Sequence, residues 1–508
     1  MLIELLLAVT FVAALVTFVV PDAVAARVAA VLSLLPIGVS LLLWVGFTGA
    51  GNALLGGQIA HVTDLRWLTL NGYELYWFVG VDGISLPLVV LTTVLTTLAI
   101  VSAWTPIDTR QSEFYGLMLF MEAALIGVFT ALDFFVWFVF WEAVLVPMYL
   151  LIGIWGGPER RYAAIKFFVY TNVASLVMFI AFIAMVFSMG DAVRTFRLPA
   201  VAAAVREGAI GPIGALAPGT VELVVFVAIF IGFAVKVPVA PLHTWLPDAH
   251  VQAPTPVSVM LAGVLLKMGT YALLRFNFTM FPDAAVTLAV PIAAVAVISV
   301  IYGALLALAQ TDLKRVVAYS SVSSMGYVIL GLVAYTSFGV GGATFQMVAH
   351  GLISGLMFMA VGVIYNVTHT RQIAEMSGVT DRLPVAAWIF VAGAFGYMGL
   401  PLMAGFAAEF FIFKGAFAST VTPLMPIFTA LAMFGIVIVA GYLLFAMQRA
   451  LFGPFRVSGM EDLPRAARHD VAPMVVLLAL IIILGVAPEL IFGMIQDAVG
   501  PLLPGGRS

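Results

Sequence analysis

The chain contains no cysteine, and only 9% of its 508 residues are charged. The lack of cysteine excludes disulfides, thiolate-bound metals, covalently attached haem and cysteine-ligated iron–sulfur clusters. The scarcity of charge excludes an ordinary soluble protein, in which about 25% of the residues are charged. The formal net charge is −3, so we expect no nucleic-acid partner, which would require a basic surface.

Motifs for common enzymatic chemistry are missing as well. No glycine-rich loop ends in Lys-Ser or Lys-Thr, which argues against nucleotide-driven transport by this chain. The acids of the polar stretches lack metal-ligand spacing, and the six histidines are dispersed. His243 and His250 give only a weak metal signal, because no further ligand accompanies them. We therefore expect no metal and no cofactor in this chain.

Apolar residues make up 63% of the chain. Because only helices and closed barrels satisfy their backbone in lipid, the recurring apolar runs of about 20 residues predict an all-α polytopic membrane protein. The length rule predicts about 14 spans. They lie near residues 2–20, 28–48, 82–104, 113–132, 134–156, 165–188, 222–250, 256–280, 285–309, 316–336, 340–366, 385–414, 422–447 and 471–495. The polar stretches near 49–81 and 188–221 are predicted to be loops.

The seventh and twelfth spans are too long for a single crossing and contain helix-breaking residues. Lys236 lies just before Pro238 in the seventh span, whereas Gly399 and Pro401 precede Glu409 in the twelfth. Paired interrupted helices are typical of carriers that contain internal repeats. The two breaks lie five spans apart, and a repeat with an odd number of crossings reverses its orientation. We therefore predict that spans 4–8 and 9–13 form two inverted five-helix repeats.

These repeats suggest four units along the chain. The expected units are residues 1–110 with spans 1–3, 111–281 with the first repeat, 282–450 with the second repeat, and 451–508 with span 14. Basic residues are more frequent in the loops after odd-numbered spans, so the positive-inside rule places both termini on the non-cytoplasmic side. The preference for arginine over lysine favours a bacterial source, and hence the bacterial inner membrane.

Six ionisable residues lie inside the predicted spans. They are Glu122, Glu142, Lys236, Lys267, His350 and Glu409. If all six faced lipid without partners, they would cost on the order of 10 kcal/mol, which rivals the whole stability of a typical domain. We therefore expect these side chains to face the protein interior, to pair, or to meet water.

Their charges allow a proton relay. Glu142 can form an ion pair with Lys236 if spans 5 and 7 pack together, which leaves Lys267 as a separate, partly desolvated amine. The proton occupancy of such an amine depends on burial and on nearby carboxylates. His350 and Ser354 share one face of span 11, where they can hold a chain of hydrogen-bonded water. The alternative interpretation is static: ion pairs that only join helices, and prolines that only kink them.

A family resemblance lies in four stretches: KVPVAPLHTWLPDAHVQAPTPVSVMLAGVLLKMGTYALLR, TDLKRVVAYSSVSSMGYV, VAHGLISGLMFMAVGVIY and WEAVLVPMYLLIG. They resemble the antiporter-like membrane subunits of proton-pumping NADH:quinone oxidoreductase, respiratory complex I. The same family contains subunits of multisubunit Na+/H+ antiporters and of membrane-bound hydrogenases. The resemblance covers roughly residues 80–455. The length, the lack of a long C-terminal extension and the acid at Glu409 point to the M-type members, counterparts of mitochondrial subunit 4.

The resemblance implies a function and a role for each matching residue. It implies proton translocation, with Glu142 paired to Lys236, Lys267 as the central relay, His350 as a linker, Glu409 as the terminal proton site and Glu122 as a further acid. It implies that NAD, FMN, iron–sulfur clusters and quinone bind to partner subunits, and that this chain contacts neighbouring antiporter-like chains and lipid. A Na+/H+ antiporter subunit and a non-pumping structural spacer are the alternatives. His243 and His250 fit the family motif without an assigned role.

Overall fold

The computed structural model describes residues 1–457 and 463–503, and most of them are helical. The N-terminal part consists of four helices and one hairpin, namely α1 (Leu2–Val19), α2 (Asp22–Leu32), α3 (Leu34–Val45), β1 (Ala60–Leu70), β2 (Tyr73–Val81) and α4 (Ser85–Ser102). The following helices up to the first break are α5 (Gln111–Thr130), α6 (Phe134–Ala143), α7 (Leu145–Trp155), α8 (Arg160–Ser188), a 3-10 turn (Gly190–Ala192), α9 (Leu198–Arg206) and α10 (Pro218–Lys236).

The central part continues after the break and includes two π-helical segments. Its elements are α11 (Trp245–Gln252), α12 (Thr255–Met260), a π segment (Leu261–Leu265), α13 (Leu266–Ala272), a second π segment (Leu273–Phe278), α14 (Pro282–Thr287), α15 (Ala289–Leu308), α16 (Leu313–Val333) and α17 (Ser337–Thr368). The C-terminal part contains a 3-10 turn (Ile373–Glu375), β3 (Met376–Ser377), α18 (Val379–Arg382), α19 (Pro384–Tyr397), α20 (Ala404–Phe417), α21 (Met425–Ala450), β4 (Arg456–Val457), α22 (Arg468–Val486), α23 (Glu489–Val499) and a 3-10 turn (Gly500–Leu502).

The helices confirm an all-α polytopic membrane protein. Thirteen helical segments of the described residues are long and apolar enough to cross a membrane. The remaining predicted span is the broken twelfth one, whose halves α19 and α20 contain 14 residues each. Because a crossing needs about 20 helical residues, neither half can span the membrane alone. Together the two halves form the twelfth predicted span, which brings the number of crossings in the described residues to the predicted 14.

Both predicted helix breaks are present. Helix α10 ends at Lys236, and the helical path resumes only in α11. Pro238 lies in the gap, where its ring and its missing N–H group prevent the helix from continuing. Helix α19 ends at Tyr397, and Gly399 then adopts a φ of +64°, a left-handed conformation that glycine tolerates best. Proline in one break and glycine in the other therefore interrupt two apolar helices.

The inverted relationship between spans 4–8 and 9–13 stays a prediction, as do the four units derived from it. The last of these units, 451–508, includes residues 458–462 and 504–508, which lie outside the described residues.

The prediction of plain loops at 49–81 and 188–221 is wrong. The first stretch folds into an antiparallel hairpin in which β1 pairs with β2. Its turn consists of Asn71 and Gly72, with φ angles of +48° and +83°. Asn-Gly is the preferred dipeptide of such two-residue turns, so the signal for this hairpin was present in the sequence. The second stretch contains the short helix α9.

Three segments form the centre of the molecule. These segments are Thr255–Phe278, Leu313–Val333 and Ser337–Thr368. Within the most apolar 18-residue stretch of each segment, the fraction of residues that are buried is 100%, 94% and 100%, respectively. The corresponding fraction is only 28% for α22, whose apolar side chains therefore face outward. Outer helices thus present apolar surface to lipid, while the central segments are sealed by protein on all sides.

A buried ion pair anchors the hairpin to this centre. Arg275, in the second π segment, pairs with Asp82, which directly follows β2, and each side chain is about 1% exposed. The Asp82 carboxylate also accepts hydrogen bonds from the backbone N–H groups of Ala53, Ile84 and Ser85, at 3.0, 3.0 and 3.1 Å. One carboxylate therefore joins the hairpin, the start of α4 and the central helices.

Replacing Asp82 by alanine is expected to destabilise the protein by about 3–5 kcal/mol, because Arg275 would stay buried without a counter-charge. The measurement is the midpoint of thermal unfolding in detergent. The matched control is Asp191→Ala, which breaks an exposed pair with Arg194 and should cost at most about 1 kcal/mol. Equal midpoints for the two variants would contradict the anchoring role of Asp82.

Candidate functional site

The six ionisable residues of the predicted site lie mostly inside the protein. Five of the six side chains are buried, namely those of Glu122, Lys236, Lys267, His350 and Glu409. Glu142 is only partly buried. The broken helices and the central segments thus bring most of the candidate groups out of lipid contact.

Lys267 and His350 are in direct contact at the centre. The Lys267 ammonium nitrogen lies 2.6 Å from His350 Nδ1, and it also donates a hydrogen bond to the carbonyl of Ala262. Ala262 belongs to the first π segment, and such segments occur frequently at functional sites. Nε2 of His350 has no hydrogen-bond partner within the described residues. One proton can therefore pass between the amine and the imidazole without an intermediary.

Lys236 makes a different contact from the predicted one. Its ammonium nitrogen lies 3.4 Å from the Trp141 carbonyl oxygen and 3.8 Å from the centre of the Trp141 ring. Glu142 instead accepts a hydrogen bond from Asn172 at 3.3 Å. No ion pair within 4.0 Å joins Lys236 to Glu142 in residues 1–457 and 463–503, so the two groups do not form a direct salt bridge. Their electrostatic pairing over a longer distance stays a prediction.

The orientation of α6 explains this difference. Trp141 points into the protein, where its ring packs against Phe233 of α10 at a centroid distance of 5.3 Å. Glu142 is the next residue along the helix and therefore points in another direction, toward α8. The indole ring consequently covers the Lys236 ammonium group, which the carboxylate does not reach.

Glu409 lies at the second break. Its side chain is buried on α20, and its Oε2 atom has no hydrogen-bond partner in the part of the chain that the structure describes. A methyl group placed on Gly399 would lie 2.5 Å from that atom. The missing side chain at Gly399 therefore makes room for the carboxylate.

Glu122 stands apart from the other five residues. It is fully buried on α5, and neither carboxylate oxygen has a hydrogen-bond partner among the described atoms. The structure therefore brings Lys267 and His350 together, places Lys236 near Glu142 without a direct bond, and leaves Glu122 without a described bond to the others.

Sequence reasoning missed a third buried lysine. Lys314 donates a hydrogen bond to the Ala253 carbonyl at 2.5 Å and lines a cavity of about 200 Å³ that also includes Arg371. Asp312 caps the start of α16 by accepting from the backbone N–H of Lys314. An aspartate just before an apolar run indicates the start of a helix. This signal could have been used to predict that Lys314 lies within the helix rather than in the preceding loop.

The two unassigned histidines occupy buried positions as well. His250 is fully buried and stacks on Phe358 with ring centroids 4.4 Å apart, and neither of its ring nitrogens has a partner in the described structure. His243 packs edge-on against Tyr302 at 5.6 Å. Within the described ranges, no group of three or more His, Cys, Asp or Glu side chains could hold a metal ion.

Comparison with known proteins identifies the family. The profile described as NADH:quinone oxidoreductase/Mrp antiporter, transmembrane, matches residues 131–435, which contain both broken helices and five of the six candidate residues. The chain belongs to this family. The resemblance found in the sequence motifs is thereby confirmed.

Curated members of the NADH:quinone oxidoreductase/Mrp antiporter family match over most of the chain. NADH-quinone oxidoreductase subunit M from Rhodobacter capsulatus is 41% identical over 473 residues, which cover 92% of this chain and 88% of that protein. NAD(P)H-quinone oxidoreductase chain 4 3 from Trichormus variabilis is 43% identical over 420 residues, which cover 80% and 76% of the two chains.

Solved structures of the same fold include two distinct assemblies. A chain of respiratory complex I from Thermus thermophilus with bound NADH superimposes with a TM-score of 0.85 at 27% identity, over 99% of this chain and 100% of that chain. A chain of the Mrp complex from Dietzia sp. DQ12-45-1b superimposes with a TM-score of 0.82 at 19% identity, over 99% and 97% of the two chains. The second similarity concerns the fold alone.

Replacing Gly399 by alanine is expected to destabilise the protein by about 1–2 kcal/mol, because the left-handed backbone disfavours a side chain. The added methyl group would also displace the Glu409 carboxylate. The control is Gly441→Ala in α21, where a methyl group would meet nothing within 4 Å and alanine favours the helix. Thermal unfolding compares the two variants, and a midpoint for Gly399→Ala at or above that of Gly441→Ala would contradict the prediction.

Proposed function

We propose that this chain is the M-type, proton-translocating membrane subunit of an NADH:quinone oxidoreductase. The observation that carries the proposal is the direct contact between Lys267 and His350 in the sealed centre of a family fold. The names of the relatives, subunit M and chain 4, support assignment to the oxidoreductase rather than to another assembly of the family. The amine and the imidazole provide two proton-accepting nitrogens in one hydrogen bond.

The Lys267–His350 pair can hold only one extra proton at a time. Two positive charges 2.6 Å apart would repel each other by about 6 kcal/mol at an effective dielectric constant of 20. Protonation of one partner therefore disfavours protonation of the other. A proton that arrives on Lys267 can move to Nδ1 of His350, and the loss of the Nε2 proton then leaves a neutral imidazole protonated on Nδ1. Before the next transfer, rotation of the ring or return of a proton to Nε2 with loss of the Nδ1 proton restores the starting tautomer.

Lys236 supplies the electrostatic control in this proposal. Its ammonium group is buried beside the Trp141 carbonyl and ring, and the negative charge of Glu142 acts on it without a direct ion pair. A change in the distance between Glu142 and Lys236 changes the stability of the charge on Lys236. That change alters the field at Lys267, because charges in a low-dielectric interior interact over longer distances than in water. Glu409 receives the proton and releases it on the far side, and Glu122 provides a further proton-accepting group.

Partner subunits supply the driving energy. NADH, FMN, iron–sulfur clusters and quinone bind to those subunits, and this chain contributes no redox centre. It lies beside other antiporter-like chains in the bacterial inner membrane, contacts lipid along its outer helices, and has both termini on the non-cytoplasmic side. The paired nitrogens of Lys267 and His350 favour protons over Na+, since hard cations prefer clusters of oxygen ligands.

Replacing Lys267 by methionine is expected to lower NADH-driven proton transport at least tenfold, because the shape is kept while the proton-accepting amine is lost. Transport is measured in Na+-free vesicles that contain the whole complex, with assembly checked by native gel electrophoresis. The matched control is Lys414→Met, an exposed lysine on α20, which should transport normally. Normal transport by a fully assembled Lys267→Met complex would favour a structural spacer instead.

A further inference from the structure

In the proposed relay, no hydrogen bond of the described structure continues from His350 Nε2 or from Glu409 Oε2. Nε2 of His350 and Oε2 of Glu409 each lack a hydrogen-bond partner within residues 1–457 and 463–503. The two residues belong to α17 and α20, which pack against each other. The relay therefore needs groups that connect these two atoms.

Two tyrosines lie between the ends of this gap. Tyr397 ends α19, and its ring meets the His350 imidazole at a centroid distance of 5.7 Å and an angle of 68°. The Tyr397 hydroxyl lies near the hydroxyls of Ser320, Ser321 and Ser354. Three helices, α16, α17 and α19, thus contribute hydroxyl groups to one buried cluster.

Tyr442 extends this cluster toward the acid. It lies on α21, near the Ser320 hydroxyl, and is close enough to interact with both Tyr397 and Glu409. Tyr327 also lies near Glu409, but its hydroxyl already donates to the Ala432 carbonyl at 3.2 Å. Tyr442 is therefore the better placed hydroxyl for exchanging a proton.

The hydrogen-bonding state of these hydroxyls separates donors from acceptors. Ser320 donates to the Val317 carbonyl at 2.7 Å and Ser354 donates to the Gly351 carbonyl at 3.3 Å, so their oxygens remain available as acceptors. The hydroxyls of Ser321, Tyr397 and Tyr442 have no partner in the described structure. These three can both donate and accept, which proton conduction requires.

Energetics indicate that water joins the cluster. Each buried polar group without a partner costs about 1–3 kcal/mol. Five such atoms lie together here: His350 Nε2, Ser321 Oγ, the Tyr397 and Tyr442 hydroxyls, and Glu409 Oε2. Buried polar groups in proteins are normally satisfied by protein or by ordered water. A few water molecules among these hydroxyls would satisfy all five atoms.

We propose that Tyr397 and Tyr442, with Ser321 and bridging water, conduct the proton from His350 to Glu409. This inference rests on the proposed function. The His350 imidazolium loses its Nε2 proton to the first oxygen, each hydroxyl or water passes one proton on as it receives another, and the Glu409 carboxylate accepts the last one. The products are a neutral imidazole and a neutral carboxyl group, and both tyrosines end as they began. Only N–H and O–H bonds are broken and formed.

The test is the double variant Tyr397→Phe/Tyr442→Phe in the assembled complex. It removes two hydroxyls with almost no change in volume, and it should lower NADH-driven proton transport in vesicles at least tenfold. The matched control is Tyr115→Phe, which removes a buried, unpartnered hydroxyl for which the structure describes no contact with a relay residue. Oxidation of NADH by an artificial acceptor should be unchanged in all variants, which shows that the partner subunits remain intact.

Each outcome decides one claim. If the double variant transports protons normally while Lys267→Met does not, the tyrosine path is overturned and the relay survives. If both transport normally, the proposed function itself fails. Should the double variant not assemble, the single variants Tyr397→Phe and Tyr442→Phe decide the matter, with an expected loss of at least threefold each, and normal transport by both would overturn the path.

Discussion

The structure depends on a basic pair that is buried away from lipid and from bulk water. Lys267 and His350 share a hydrogen bond of 2.6 Å in the middle of segments that expose almost none of their surface. A protonated amine in such a place is costly unless neighbouring groups accept hydrogen bonds from it, and here the Ala262 carbonyl and the imidazole do so. The surrounding helices consequently have two tasks: they exclude lipid from the pair, and they provide polar routes that lead to it.

The interruptions in the helices provide the polar routes that lead to the pair. The first break follows Lys236 directly, so the ammonium group lies at a helix end beside the Trp141 carbonyl rather than along an unbroken apolar surface. At the second break, Tyr397 ends α19 and Glu409 lies in the second turn of α20, and the absent side chain of Gly399 leaves room for the carboxylate. The Arg275–Asp82 pair performs the first task, because it ties the peripheral hairpin to the central π segment without exposing charge to lipid. Lys236 and Glu409 thus lie beside backbone interruptions, and Arg275 lies beside an opposite charge.

Much of this architecture could be predicted from the sequence, because a bilayer imposes strict lengths and polarities on helices. The all-α fold, the crossings and both breaks follow from apolar run length, proline and glycine.

The hairpin was not predicted from the sequence, although Asn71-Gly72 is a turn signal. The prediction considered only that the polar stretch is unsuited to crossing a membrane, and not which secondary structure the stretch forms. Charge and spacing do not determine which way adjacent residues of α6 point, so they could not show that Trp141 rather than Glu142 contacts Lys236 directly. The positions of Tyr397 and Tyr442 could not be predicted from the sequence for a related reason. Their hydroxyls lie near each other only because helices that are separated in the chain pack together. The roles of the six candidate residues and the inverted relationship of the repeats stay predictions.

The central claim is that a proton moves from Lys267 through His350 to Glu409. Infrared difference spectroscopy of the assembled complex, recorded before and after NADH addition, tests this transfer most directly. The carboxyl C=O band of protonated Glu409 can be identified by its loss in Glu409→Gln. The account predicts that NADH changes this band in the wild-type complex and leaves it unchanged in His350→Leu. A band change of equal size in His350→Leu would contradict the account.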